Sequence, residues 1–134
     1  MPYTVAEDAD MLHIADRHGI DWRLLKALRE TENGGPGREF GVLTVPAPTW
    51  HDQADVAART IRHTLGRYWQ HIKMDPWSER LDAYSPDFLR YFSAGGPGWT
   101  GYCPVHAEND PTGLNVHHVG NLTRFYEAAC EETP

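Results

Sequence analysis

The chain has 134 residues, 40% hydrophobic and 23% charged, which is typical of one globular domain with a single core. Its net charge of 12 − 19 = −7 with histidine neutral argues against nucleic acid as a partner, because phosphate binding requires a basic face. No stretch approaches the roughly 18 apolar residues of a membrane span, and the first residues have neither the basic nor the apolar region of a secretory signal.

Two helices are predicted at the start of the chain. Thr4 and Glu7 have the spacing of a capping box, and Gly19 is expected to end the first helix in the left-handed conformation. Three residues of this helix are expected to point inward: Ala9, Leu12 and Ala15. Asp21 is the predicted N-cap of the second helix.

The second helix ends on an acidic residue that shares a stripe with leucines. Leu25, Leu28 and Glu32 are three and then four residues apart, so Glu32 should point at the interior or at a cleft beside it. Glu30 faces the other way and is expected to be solvated. The negative end of the helix dipole and partial desolvation both disfavour a second negative charge at this position. A carboxyl group that stays protonated near neutral pH is what a general acid needs.

The middle of the chain contains a proline-rich segment and then a long helix. Residues 38–50 are predicted to form a short strand or an irregular loop, and their prolines argue against a central strand. Thr49 and Asp52 have capping spacing, and the apolar pattern that follows predicts a helix as far as about His71.

The last third of the chain has two further helices separated by a loop. Ser85 followed by Pro86 predicts a helix start, residues 99–113 are rich in glycine and proline and should form a loop, and Asn115 is the expected cap of the final helix. The whole chain is therefore predicted to be all-α, or α+β with a minimal β element, with about five or six helices.

Two segments resemble the lysozyme-like superfamily. The first resembles the catalytic-glutamate segment of bacterial lytic transglycosylases and phage muramidases, and reads Ala27-Leu28, then Glu32-Asn33-Gly34-Gly35, then Phe40-Gly41. The second resembles the closing segment of phage-type and glucosaminidase-like members, and comprises Tyr102-Cys103-Pro104, residues 109–115 and residues 121–126.

The resemblance implies a single lysozyme-like domain over residues 1–134 that cleaves the MurNAc–GlcNAc β-1,4 bond of peptidoglycan. Glu32 would be the general acid/base. The residues that we expect to contact the glycan are Phe40, Gly41, Trp99, Tyr102 and Asn115. Phe40 and Gly41 would shape the floor of the groove, and the loop aromatics would stack on sugar faces.

Whether the reaction is hydrolysis or transglycosylation stays open. A hydrolase with two carboxylates needs a second acid across the cleft, and the candidates are Asp52, Asp55 and Asp110. Each has a simpler explanation, as a cap, a solvated helix residue and a turn former. Lytic transglycosylases, which the motifs resemble, use one glutamate with the N-acetyl group of the substrate.

Metal and cofactor sites are not predicted. The chain has eight histidines and two cysteines, but no two histidines have the i, i+4 spacing of a helical metal-binding pair. His117 and His118 are adjacent and would point about 100° apart on a helix. Cys103 and Cys130 could pair, but two lone cysteines do not make a disulfide framework, and two thiols are the expected state.

An alternative is a non-catalytic glycan-binding or virion structural module that keeps the lysozyme-like fold. The acidic net charge suits an anionic cell wall poorly, and Gly41-Val42-Leu43-Thr44 replaces the Gly-Leu-Met-Gln of the family. On either hypothesis the protein would stay in the cytoplasm until released, or would be associated with a virion, the cell wall or a larger phage or secretion assembly.

Overall fold

A computed structural model describes residues 2–72, 84–105 and 113–132. The helices are α1 (Asp8–His18), α2 (Trp22–Glu32), α3 (Trp50–Ile72), α4 (Pro86–Ala94) and α5 (His118–Glu132), with 3-10 turns at Val5–Glu7 and Leu114–His117. In these ranges the β pairing is limited to one isolated bridge, Gly96 with Trp99, which confirms the all-α prediction. None of the helices described here is long and apolar enough to cross a membrane.

Helix α2 is the central element of the fold. Every side chain from Leu24 to Arg29 is buried, because α2 packs along α5 and also contacts α1 and α3, while α4 packs on α5 and α3. Leu25 and Leu28 are fully buried, as predicted, and each contributes about 2 kcal/mol to folding. This packing holds the C-terminal end of α2 between α5 and the loop that follows α2.

Two cations on α2 are buried in ion pairs that the helical pattern did not indicate. Arg29 is 1% exposed, and its Nε donates to Glu7 Oε1 over 2.8 Å. Trp50 Nε1 donates to the same carboxylate. Burial raises the pKa of Glu7, but the hydrogen bonds from Arg29, the Thr4 backbone and Trp50 outweigh it, so that the net pKa is lowered. Lys26 lies 3.2 Å from the Glu132 carboxylate at the end of α5.

The predicted inward face of α1 is confirmed at Ala15 and was wrong at Ala9 and Leu12. Met11, Ile14 and Ala15 are buried, whereas Leu12 is 52% exposed and Ala9 is also exposed. Met11 and Ile14 lie on the face that packs on α2 and α3, and the positions of these two helices set the rotation of α1.

Glu30 also differs from its prediction. Its side chain is half-buried rather than solvated, and this burial raises its pKa. Because α2 is enclosed on most sides, the face opposite the leucine stripe also has neighbours.

Most of the predicted helix boundaries are confirmed. Gly19 ends α1 with φ of 67°, Asp21 accepts the Arg23 N–H as the cap of α2, and Ser85 accepts the Phe88 N–H as the cap of α4. Residues 33–49 form a loop without a strand.

Asn115 was wrongly predicted to cap the final helix. It lies inside the 3-10 turn, for which Gly113 is the cap with φ of 70°. Its side-chain Nδ2 instead donates to the Pro104 carbonyl over 2.8 Å. Asn115 therefore ties the approach to α5 to the loop that contains Cys103.

Candidate functional site

Glu32 is the last residue of α2, and its carboxyl group meets two side chains from distant parts of the chain. Oε1 lies 3.2 Å from His118 Nε2 and 3.4 Å from Cys103 Sγ. The Glu32 side chain is 19% exposed. Asn33 ends the helix in the left-handed conformation, with φ of 45°, which turns the chain away immediately after the acid.

His118 begins α5 and is held on both sides of its ring. Its side chain is 7% exposed. Nδ1 is hydrogen-bonded to Ser93 Oγ on α4, and Ser93 is fully buried. Ser93, His118 and Glu32 therefore form a continuous chain of hydrogen bonds. Because Ser93 cannot be reached from solvent, it orients the imidazole and is not placed to act as a nucleophile.

Cys103 is positioned by backbone pairing with the end of α4. Its N–H donates to the Ser93 carbonyl over 3.0 Å, and the N–H of Tyr102 donates to the Phe92 carbonyl over 2.8 Å. Gly101 makes this close approach possible, since its φ is +100° and a Cβ there would lie 2.6 Å from the Ser93 carbonyl oxygen. The Cys103 thiol is thus directed at Glu32 by the fold of α4.

Tyr102 lies beside the same carboxyl group. Its ring stacks on Phe92 with centroids 5.1 Å apart, and its hydroxyl donates to the Phe40 carbonyl. Burial raises the pKa of Tyr102 well above its usual value, and the nearby Glu32 and Cys103 act in the same direction. Tyr102 therefore remains a neutral donor that fixes residue 40.

A groove of about 520 Å³ opens beside this cluster. Its walls are residues 41–45, one face of α3, and residues 99–102 with Pro104. Most of the lining is apolar. The lining side chains that can carry charge, His63 and Arg67, are basic, and the Arg67 guanidinium lies over the Trp99 ring at 5.6 Å.

Gly41 separates the Glu32 carboxyl group from the groove. A Cβ at Gly41 would lie 2.7 Å from Glu32 Oε2 and 2.8 Å from its Cδ, and φ is +70°. A side chain at position 41 would thus collide with the carboxyl group and strain the backbone. The bare glycine lets the acid lie directly against the groove wall.

The predicted glycan-contacting residues separate into two groups. Gly41, Trp99 and Tyr102 line the groove. Phe40 is fully buried in the core and does not line the groove, and its carbonyl accepts the hydrogen bond from the Tyr102 hydroxyl. Asn115 is not among the lining residues, but its side chain donates a hydrogen bond to the carbonyl of Pro104, which does line the groove.

Gln53 on α3 was missed by the sequence reasoning, although it shapes the groove loop. It is fully buried, and its Oε1 accepts the N–H groups of Phe40 and Val42, each over 3.1 Å. Its Nε2 donates to the carbonyls of Gly37, Val42 and Ala47. A single side chain is thus hydrogen-bonded to five backbone groups of the loop, with the two Nε2 hydrogens shared among three carbonyls.

His118 and Cys103 were also not predicted as partners of Glu32. Spacing alone does not tell which of the adjacent His117 and His118 faces the interior. Cys103 lies in a loop, where no helical or strand periodicity indicates the direction of a side chain. The one available signal was that Cys103 lies within the closing segment quoted above.

Two of the three candidate second carboxylates, Asp52 and Asp55, do not line the groove. Asp55 Oδ1 pairs with His18 at 2.8 Å and with Arg17 at 3.3 Å, both on α1. Asp52 is exposed at the start of α3, where its backbone N–H donates to Thr49. Asp110 lies outside the described residues. Within the described ranges, the groove lining contains no carboxylate.

The cluster also has the composition of a metal site, which spacing did not predict. Glu32, Cys103 and His118 each offer one ligand atom, and these three atoms lie within 4.8 Å of one another.

No protein-family model, curated protein or solved structure matches the chain. The function is therefore inferred from the residues themselves and from the resemblance of their segments.

Proposed function

We propose that the protein is a glycosidase that cleaves the MurNAc–GlcNAc β-1,4 bond of peptidoglycan, with Glu32 as general acid/base. The observation that carries this proposal is a part-buried carboxyl group at the C-terminal end of a helix, directly against the wall of an open groove. Glycosidic bond cleavage requires a proton on the leaving oxygen, and the first of the two segments that resemble lysozyme-like enzymes implies that Glu32 supplies it.

The hydrogen bonds around Glu32 distinguish its two oxygens. When Ser93 donates to Nδ1 of His118, the ring hydrogen is on Nε2 and points at Oε1. The Cys103 thiol points at the same oxygen. With both donors directed at Oε1, Oε2 is the oxygen that faces Gly41. In the proposed mechanism Oε2 would therefore be the oxygen that delivers the proton to the glycan.

The groove lining supports an anionic glycan as substrate. Apolar residues and Trp99 suit the flat faces of pyranose rings, while Arg67 offers a cation to the carboxylates of the peptides that peptidoglycan carries. The protein as a whole has a charge of −7, but the basic lining makes the groove locally favourable for a negatively charged polymer.

The absence of a carboxylate from the described part of the groove lining favours single-glutamate chemistry. In that mechanism the N-acetyl group of the substrate supplies the second function, as in the lytic transglycosylases that the motifs resemble. After bond cleavage, Glu32 would accept a proton back from the attacking hydroxyl group. An anhydro product, lighter than the hydrolysis product by one water, would identify this course.

A second candidate is a non-catalytic glycan-binding or virion module. The observation that favours it is that Glu32 does not itself line the groove, since Gly41 lies between them. Such a module would use the groove and its basic residues for binding only.

Clearing of purified peptidoglycan by the wild type and by Glu32→Gln tests the proposal. Loss of the general acid should reduce the rate about 10²–10⁴-fold, whereas the matched control Glu30→Gln, on the same helix end, should clear at the wild-type rate. Cosedimentation with peptidoglycan should be unchanged in both variants.

Equal clearing by wild type and Glu32→Gln would refute the assignment. Binding of peptidoglycan without clearing by the wild type would support the non-catalytic candidate instead. Mass spectrometry of the soluble products separates hydrolysis from transglycosylation.

A further inference from the structure

We propose that Glu32, Cys103 and His118 form a binding site for a zinc ion. The three ligands are a Glu32 carboxylate oxygen, the Cys103 thiolate and His118 Nε2, with the fourth position left to water. This site goes beyond the proposed function, since metal binding does not depend on whether the protein cleaves a glycan.

The two separations that involve Glu32 Oε1 match a tetrahedral zinc site. With bonds of about 2.3 Å to sulfur and about 2.1 Å to nitrogen and oxygen, tetrahedral angles separate S from O by about 3.6 Å and N from O by about 3.4 Å. The corresponding separations are 3.4 Å between Cys103 Sγ and Glu32 Oε1 and 3.2 Å between His118 Nε2 and Glu32 Oε1. All three ligand atoms lie within 4.8 Å of one another, so small side-chain movements suffice.

The chemistry of the three ligands selects zinc over the common hard cations. Thiolate and imidazole are borderline to soft ligands, whereas calcium and magnesium prefer oxygen. When Zn²⁺ binds, the thiol of Cys103 loses its proton to solvent and the sulfur electron pair forms the Zn–S bond. The thiolate and the Glu32 carboxylate together then neutralise the two positive charges of the ion, and His118 binds as neutral imidazole.

The surroundings hold the ligands in place. His118 coordinates through Nε2 when its Nδ1–H donates to Ser93 Oγ, and zinc-bound histidines usually donate their second N–H in this way. Ser93 is fully buried. The backbone N–H of Cys103 donates to the carbonyl of the same serine. The two ligands from the second half of the chain are therefore oriented by one residue of α4.

Zinc and acid catalysis would exclude each other at this site. A coordinated Glu32 is ionised and has no proton to give to a glycosidic oxygen. Zinc should therefore inhibit peptidoglycan clearing, and this consequence alone rests on the proposed function.

The test uses the full chain, freed of metal with a chelator. Calorimetric titration with Zn²⁺ should show one site per chain. Titration with Co²⁺ as a spectroscopic probe should produce the intense visible bands of a tetrahedral ion and a sulfur-to-cobalt charge-transfer band.

Single substitutions of the ligands have matched controls elsewhere in the chain. Loss of a ligand should weaken binding by more than the roughly 10- to 100-fold that loss of an outer-shell partner causes, and Ser93→Ala should fall within that range. The ligand variants are Glu32→Gln, Cys103→Ser and His118→Gln. The controls, which should bind as the wild type does, are Glu30→Gln, Cys130→Ser and His117→Gln.

Three results would overturn the zinc site: no binding at one equivalent, a cobalt complex without the sulfur band, or unchanged binding in Cys103→Ser. If Cys103→Ser does not fold, the cobalt spectrum of Cys130→Ser tests the assignment instead. In that variant Cys103 is the one thiol left, so any sulfur-to-cobalt band must come from it. A missing sulfur band in a folded Cys130→Ser would refute the assignment. Clearing is measured separately in chelator, so that failure of the glycosidase proposal and failure of the zinc site are distinguishable.

Discussion

Replacing Gln53 by methionine should release the groove loop from α3 while keeping the length of the side chain. Gln53 makes hydrogen bonds to five backbone groups between residues 37 and 47. Two of these bonds are buried, those of the Phe40 N–H and the Ala47 carbonyl. A buried polar group without a partner costs about 1–3 kcal/mol, so the substitution should cost about 2–6 kcal/mol. That is a large part of the 5–15 kcal/mol stability of a typical domain.

Urea unfolding followed by circular dichroism measures this loss, and amide hydrogen exchange shows whether the loop opens locally. The loop is expected to lose protection first, because apart from Phe40 it contributes few residues to the core. Gln70→Met is the matched control, since Gln70 is exposed on the same helix and should change stability by less than about 0.5 kcal/mol. If Gln53→Met is as stable as this control and residues 37–47 stay protected, the reasoning is refuted.

Three further predictions concern the site and the buried polar contacts. Gly41→Ala should abolish clearing but keep the helical circular dichroism, because its Cβ would push into the Glu32 carboxyl group; wild-type clearing would contradict this. The pKa of Glu7 is lowered from 4.5 on folding, so its contribution to stability is present above pH 4.5 and is lost as the pH falls through the lower folded value. Urea midpoints measured across that pH range should therefore fall less steeply for Glu7→Gln than for the wild type, and parallel curves would count against the ion pair with Arg29. Tyr126→Phe removes the acceptor of a buried backbone N–H and should cost about 1–3 kcal/mol in thermal unfolding, a loss that an unchanged midpoint would disprove.

The local features of this fold could be predicted from sequence because their causes lie within a few residues. Gly19 supplies a left-handed helix end, Asp21 and Ser85 supply side-chain oxygens to free N–H groups, and the spacing of Leu25 and Leu28 identifies the buried stripe. The same spacing placed Glu32 beside the interior. Each of these features is marked by residues that lie close together in the chain, so its position could be predicted from their spacing.

The rotation of α1 and the role of Asn115 could not be predicted in the same way. Leu12 and Met11 are adjacent apolar residues, and which of them is buried depends on where α2 and α3 lie. Asn115 has the composition of a helix cap, but the carbonyl of Pro104, eleven residues earlier, competes for its side chain. In both cases a tertiary contact outweighed a local preference.

By itself, the sequence determined an all-α protein with a glutamate at the end of an apolar stripe. Only the tertiary structure decided what that glutamate meets: Cys103 and His118 come from 71 and 86 residues further along the chain. No periodicity connects such positions, because their distance is set by how α4 and α5 pack around α2. The acid was therefore predictable, while the thiol and imidazole that suit the site to a metal ion follow from the packing of the helices.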